Sequence, residues 1–112
     1  MKNHLLVLWK TDSMIDVEEL LIPYVFASKK NEWWDQVSVI IWGGSQRLVS
    51  ENKAIQDKVI QMLDLGIQVH ACKKCADDLC VADHLSQVGI DVLYTGEMLT
   101  EYLKSDAKVL TI

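Results

Sequence analysis

All three cysteines of the chain, Cys72, Cys75 and Cys80, fall in one stretch, IQVHACKKCADDLCVA at 67–82. Ile67, Val69 and Ala71 alternate with Gln68 and His70, the period of a half-buried strand. The strand ends in Cys72-Lys73-Lys74-Cys75, and a helix is expected from about Ala76 to Asp78. Cys72 would close the strand and Cys75 would stand near the start of the helix. Unpaired amide N–H groups and the helix dipole stabilise a thiolate there, and Lys73 and Lys74 add positive charge. Asp77 and Asp78 oppose that effect, so the sequence gives a downward direction for the thiol pKa and no size. A lone Cys72 would read as a small apolar residue at a buried strand end. The second cysteine and the helix start favour a reactive dithiol.

Cys80 is expected inside the helix, about one turn past Cys75, as a packed and inert thiol. Three cysteines with His70 or His84 raise the question of a metal. Structural zinc sites usually draw on two separated ligand pairs, and C-x-x-C-x-x-x-x-C has no second pair. We therefore expect no metal and no organic cofactor, with both histidines solvated or hydrogen-bonded.

The remaining composition narrows the class. A chain of 112 residues, half apolar and 24% charged, is enough for one core without disulfide or metal staples. The net charge of −5 argues against nucleic acid or an anionic membrane as main partner, since both call for a basic face. Lys29-Lys30 and Lys73-Lys74 are isolated pairs. The apolar run at the N-terminus is short for a signal peptide, and no stretch is long enough to span a bilayer. A cytoplasmic protein is expected, and a tight cluster of an odd number of thiols suits a reducing compartment.

The elements that must position the cysteines follow from the hydrophobic pattern. HLLVLW at 4–9 reads as a buried strand. Asp12 or Ser13 can cap a helix, with Asp16 completing a capping box from Ser13. Ile15, Val17, Leu20, Leu21, Tyr24 and Val25 give that helix an apolar face, and Pro23 predicts a kink or break. QVSVIIW at 36–42 is a second strand, running into Gly43-Gly44-Ser45, a turn or a small anion nest. Ser50 is the expected cap of the next helix, whose face is Ile55, Val59, Met62 and Leu63, and Gly66 closes it. After the cysteine turn, Val81, Ala82, Leu85 and Val88 form a third helical face ended by Gly89. A strand in GIDVLY at 89–94 follows. A short helix at 97–103 turns Met98, Leu99, Tyr102 and Leu103 inward, and KVLTI at 108–112 is the last strand. Trp9 and Trp42 end strands and are expected on the rim near Cys72. Trp33-Trp34 sits in a polar connection, where it would pack back or mark a subunit contact.

The order is β-α-β-α-β-α-β-α-β, a single-domain α/β sandwich of three layers with a mainly parallel five-stranded sheet. Ligands and reactive groups gather at the carboxyl ends of such strands. Three turns lie there: 10–13, 43–45 and 72–75.

The chain resembles the DsrE/DsrF-like family, of YchN-like fold. The resemblance runs through VSVIIWGGS at 37–45, the helix from Glu51, GIQVHACKKCADD at 66–78, GIDVLYTGEMLTEYLK at 89–104 and the closing KVLTI. It implies one DsrE-like domain over 1–112 in a cytoplasmic protein that assembles as a trimer or hexamer. It also implies sulfur carried as a cysteine persulfide between donor and acceptor proteins, with Cys72 at the position of the working cysteine. Cys75 belongs to the small single-domain branch. Glycine is favoured there at position 80, and proline is expected where Gly44 stands, so both positions depart from the pattern. The alternatives are a dithiol redox protein or thiol sensor using Cys72 and Cys75, and a non-catalytic oligomeric binding module.

Overall fold

The structure, a computed structural model, describes residues 3–112. The strands are β1 (His4–Trp9), β2 (Gln36–Ile41), β3 (Gln68–Cys72), β4 (Asp91–Leu93) and β5 (Lys108–Thr111). They form one sheet in the order β4-β3-β2-β1-β5, and every pairing is parallel. Between them lie α1 (Met14–Asp16), a π-helical turn (Val17–Leu21), α2 (Ile22–Lys30), α3 (Gly44–Glu51), α4 (Lys53–Asp64), α5 (Lys73–Asp78), α6 (Ala82–Val88) and α7 (Thr95–Lys104).

The strand order decides which face each helix covers. From β1 to β4 the chain steps outward in one direction, and right-handed crossovers place all the intervening helices on one face. The step from β4 back past β1 to β5 runs the other way, so α7 alone lands on the opposite face. The packing agrees. Leu5, Val7, Trp9, Val37, Val39, Ile41, Val69 and Ala71 meet Val17, Leu21, Val25, Val49, Ile55, Val59, Met62, Ala76 and Leu85 in the main core. On the other face Leu6 and Ile40 meet Tyr102 of α7, with Leu8, Trp42, Met98, Leu99 and Val109 at the margins.

The α7 face also carries a buried polar cluster. His4 Nε2 lies 3.2 Å from Ser38 Oγ and 3.0 Å from Tyr102 Oη. Tyr102 Oη and Ser38 Oγ are 3.2 Å apart, and the Ser38 hydroxyl donates to Gln68 Oε1 at 3.3 Å. Burial lowers the His4 pKa, because a charged imidazole is poorly solvated there.

Several local expectations are corrected. The first helix starts after Ser13, but Ser13 makes no side-chain cap; its amide instead donates to Thr11 Oγ1, which also reaches Asp16. Pro23 does not break the helix outright, but the irregularity expected there is present as a π-helical turn, Val17–Leu21, just before it. The second crossover helix begins earlier than expected, at Gly44, so Ser50 lies inside α3. Asn52 caps α4 instead, accepting from the Ile55 amide at 3.1 Å. Leu103 is exposed rather than inward, and Trp9 is fully buried rather than on the rim. Trp34 is half-buried, its indole N–H donating to Tyr24 Oη, while Trp33 is exposed.

Candidate functional site at the cysteine turn

Alternation along β3 turns Val69 and Ala71 to the main core, so Cys72 points to the α7 face. It is the N-cap residue of α5, with extended backbone at φ −69° and ψ 120°. Cys75 is the third residue of that helix and is half-exposed, whereas Cys72 is only 4% exposed.

Opposing effects act on the Cys72 sulfur. The largest is burial, which disfavours the thiolate. The Cys75 amide, the Thr95 hydroxyl, the Cys75 thiol and the Lys74 amide act the other way, and together they bring the pKa below its ordinary value. As a neutral thiol Cys72 makes no side-chain cap bond of ordinary geometry. The amides face the sulfur and are better acceptor-seekers for the anion than for S–H. Thr95 opens α7 directly across from Cys72, since Cys72 pairs with Leu93 in the sheet. Thr95 is 1% exposed and its buried Oγ1 has no ordinary hydrogen bond among the described residues, so its proton is free for the sulfur.

Lys73 and Lys74 contribute less than their position suggests. Lys73 Nζ bonds Asp77 Oδ2 at 2.7 Å and Lys74 Nζ bonds Asp78 Oδ2 at 2.8 Å, so Asp77 and Asp78 raise the two ammonium pKa values. Each aspartate neutralises its own lysine one turn away. The stabilisation of a Cys72 thiolate therefore rests on amides, a hydroxyl and a thiol.

Cys80 is not inside a helix. Helix α5 ends at Asp78, and Cys80 has a positive φ of 59°. Its amide donates to Asp77 O and the Val81 amide to Ala76 O, both near 3 Å, the paired bonds of a Schellman motif. The thiol is exposed rather than packed. This left-handed position is one where glycine fits best and a cysteine is strained.

Sequence reasoning missed Gln46 and Thr95. Gln46 is fully buried at the start of α3, and its Nε2 donates to Ile41 O at 3.2 Å and to Cys72 O at 2.9 Å. It ties the end of β2 to the residue that carries the thiol. No local pattern announces it, because its partners are backbone carbonyls on two other strands. Thr95 follows the GIDVLY strand at the same offset as Cys72 follows GIQVHA, a parallel that could have pointed to it.

The three strand-end turns meet. Asp12, Gly43, Gly44, Arg47, Cys75, Asp78 and Leu79 line an open cavity of about 330 Å³. Cys75 reaches it and Cys72 does not. Ser45, next to the two glycines, is buried and bridges the turns, donating to Trp9 O at 2.6 Å and accepting from the Trp42 amide. His70 Nδ1 sits 3.2 Å from Asp91 Oδ2 and His84 Nε2 3.0 Å from Gln56 Nε2, each hydrogen-bonded away from the thiols. Among the described residues no group of three His, Cys, Asp or Glu side chains is arranged to hold a metal ion, and no helix is long and apolar enough to cross a membrane.

No family model and no curated protein matches the chain. Among solved structures, it is similar to a conserved protein of unknown function, BT1422 from Bacteroides thetaiotaomicron. The identity is 38%, over 98% of this chain and 95% of that one, with a TM-score of 0.95. It is also similar to the ychN protein of E. coli, over the full length of both chains, at 16% identity and a TM-score of 0.69. The second likeness concerns the fold, which is YchN-like.

Proposed function

Because the chain belongs to the family of the conserved Bacteroides protein BT1422, whose function is unknown, we propose its function from the dithiol itself. The protein is a DsrE-type sulfur carrier, one DsrE-like domain that holds sulfane sulfur as a persulfide on Cys72. The observation that carries this reading is the set of donors around the Cys72 sulfur, which lower its pKa despite burial. In the loading step the Cys72 thiolate attacks the outer sulfur of a donor persulfide, R–S–SH. A Cys72–S–SH bond forms, the donor S–S bond breaks, and R–S⁻ leaves with the electron pair. An acceptor thiolate reverses the step. Alternatively the Cys75 thiolate attacks the inner sulfur, giving a Cys72–Cys75 disulfide and HS⁻.

The near-complete cover over Cys72 suits a species that would be lost to bulk thiols if exposed. Exposed Tyr94 and Leu103 at the two ends of α7 support a homo-oligomer, trimer or hexamer, in which neighbouring copies complete that cover. Sulfur donor and acceptor proteins, and a cytoplasmic setting, belong to the same reading.

The test is intact-protein mass after incubation with a persulfide donor. The expected result is one added sulfur, about +32 Da, that peptide mapping places on Cys72 and that Cys80→Ser retains. An adduct that maps to another residue at steady state removes Cys72 from the role. A dithiol redox function is the second reading, favoured by the Cys75 thiol being among the groups that lower the Cys72 pKa. It requires a reversible two-electron couple at roughly −180 to −300 mV.

A further inference from the structure

Cys72 is enclosed, while Cys75 opens into a cavity whose wall carries charges of both signs. Asp78 there is already neutralised by Lys74. That leaves Asp12 and Arg47, the single arginine of the chain, and among the described residues neither has an ion-pair partner. Asp12 stands over the start of α3, its carboxylate 3.5 Å from where a Cβ on Gly44 would sit. Arg47 lies on the same helix, three residues on. Gly43 and Gly44 put no side chain into the space between, and Leu79 supplies an apolar wall.

One unpaired carboxylate, one unpaired guanidinium and a half-exposed thiol around about 330 Å³ match a ligand of the same make-up with its signs exchanged. We propose that this cavity is the port through which sulfur enters, and that it takes a small dipolar thiol derivative bearing one carboxylate and one ammonium. Arg47 binds the carboxylate, Asp12 the ammonium, and the ligand's sulfur meets Cys75. A guanidinium offers two parallel N–H donors to a carboxylate, a geometry an ammonium group lacks.

This rests on the sulfur-carrier reading and adds a relay to it. The Cys75 thiolate attacks the outer sulfur of R–S–SH, giving Cys75–S–SH and R–S⁻. The Cys72 thiolate then attacks that outer sulfur, giving Cys72–S–SH and returning the Cys75 thiolate. Each step breaks one S–S bond, forms one, and consumes no oxidant or reductant. Burial then shields the Cys72 persulfide from thiols in bulk water, so sulfur is held on Cys72.

The selectivity of the port can be read without sulfane chemistry. In a Cys72→Ser, Cys80→Ser background, mixed-disulfide formation at Cys75 is timed by mass. The probes are cystine (dipolar), cystamine (cationic), 3,3′-dithiodipropionate (anionic) and 2-hydroxyethyl disulfide (neutral), each rate divided by that probe's rate with free glutathione. Cystine is expected to lead, by about tenfold over the neutral probe. Arg47→Ala should slow cystine and the anionic probe about fivefold and spare cystamine, with Arg47→Lys recovering part of the loss. Asp12→Asn should slow cystine and cystamine. A flat profile, or one that Arg47→Ala leaves unchanged, overturns the proposal. If that profile holds but the intact protein takes up no sulfane sulfur, the carrier reading fails and the dipolar site stands.

Discussion

Gln46 and Cys72 are joined through a single hydrogen bond, 2.9 Å from the buried amide nitrogen to the Cys72 carbonyl. The peptide that leaves Cys72 is thereby fixed in orientation. The amides of Lys74 and Cys75 that favour the thiolate begin from that peptide. With its second N–H on Ile41 O, Gln46 holds two strand ends at the spacing the cysteine turn requires.

Replacing Gln46 by Leu removes one donor from each of two buried carbonyls, and a stability loss of about 2 kcal/mol is expected in chemical denaturation. The alkylation-versus-pH profile of Cys72 should also move to higher pH, because amides that are no longer held in place favour the thiolate less. An unchanged profile alongside the stability loss would make Gln46 a strut and nothing more.

His4 predicts an acid-sensitive fold. Burial depresses its pKa in the native state, so the unfolded chain binds the proton first. Its contribution is intact above roughly 6.5, the ordinary imidazole value, and is lost as pH falls from there through the depressed native value. Unfolding followed between pH 7.5 and 5 should show stability declining on the acid side. The slope should flatten in His4→Asn. Equal slopes for the two proteins would contradict the assignment.

Cys80→Gly should stabilise the protein. A non-glycine residue at φ 59° carries a left-handed cost that glycine escapes, and about 0.5–1 kcal/mol is expected after glycine's own entropy is counted. Cys80→Ala keeps the Cβ and should give no such gain. Denaturation midpoints of the two variants decide between this backbone effect and mere loss of the thiol.

Much of this was legible in the chain itself. The strands declare themselves because a parallel sheet covered on both sides needs short continuous apolar runs, and HLLVLW and QVSVII supply them. The helix faces of α4 and α6 are equally plain at period 3.6. What stayed hidden were features whose partners are far away in sequence. Gln46 looks like any surface glutamine until Ile41 and Cys72 arrive beside it, and Trp9 looks like a rim residue until the main core closes over it. Cys80 reads as helical because apolar periodicity continues across 76–88 while the backbone turns left-handed at one residue. The cysteine turn shows in the spacing alone. That Cys75 rather than Cys72 opens to solvent depends on the approach of α7 to Cys72, which no local pattern encodes.

The solitary position of α7 also has a bearing on the order of folding. The contact between His4 and Tyr102 closes a loop of 98 residues, so its entropic cost falls late, after the nearer strands have paired. Until β5 arrives, β1 is an edge strand with open hydrogen-bonding groups, although it is interior in the finished sheet. On the ribosome the large core can assemble from the first six helices, while the smaller one waits for the last stretch of chain. The cover over Cys72 is thus among the final things made, and a nascent chain lacking its last two elements presents that thiol and a bare strand edge together.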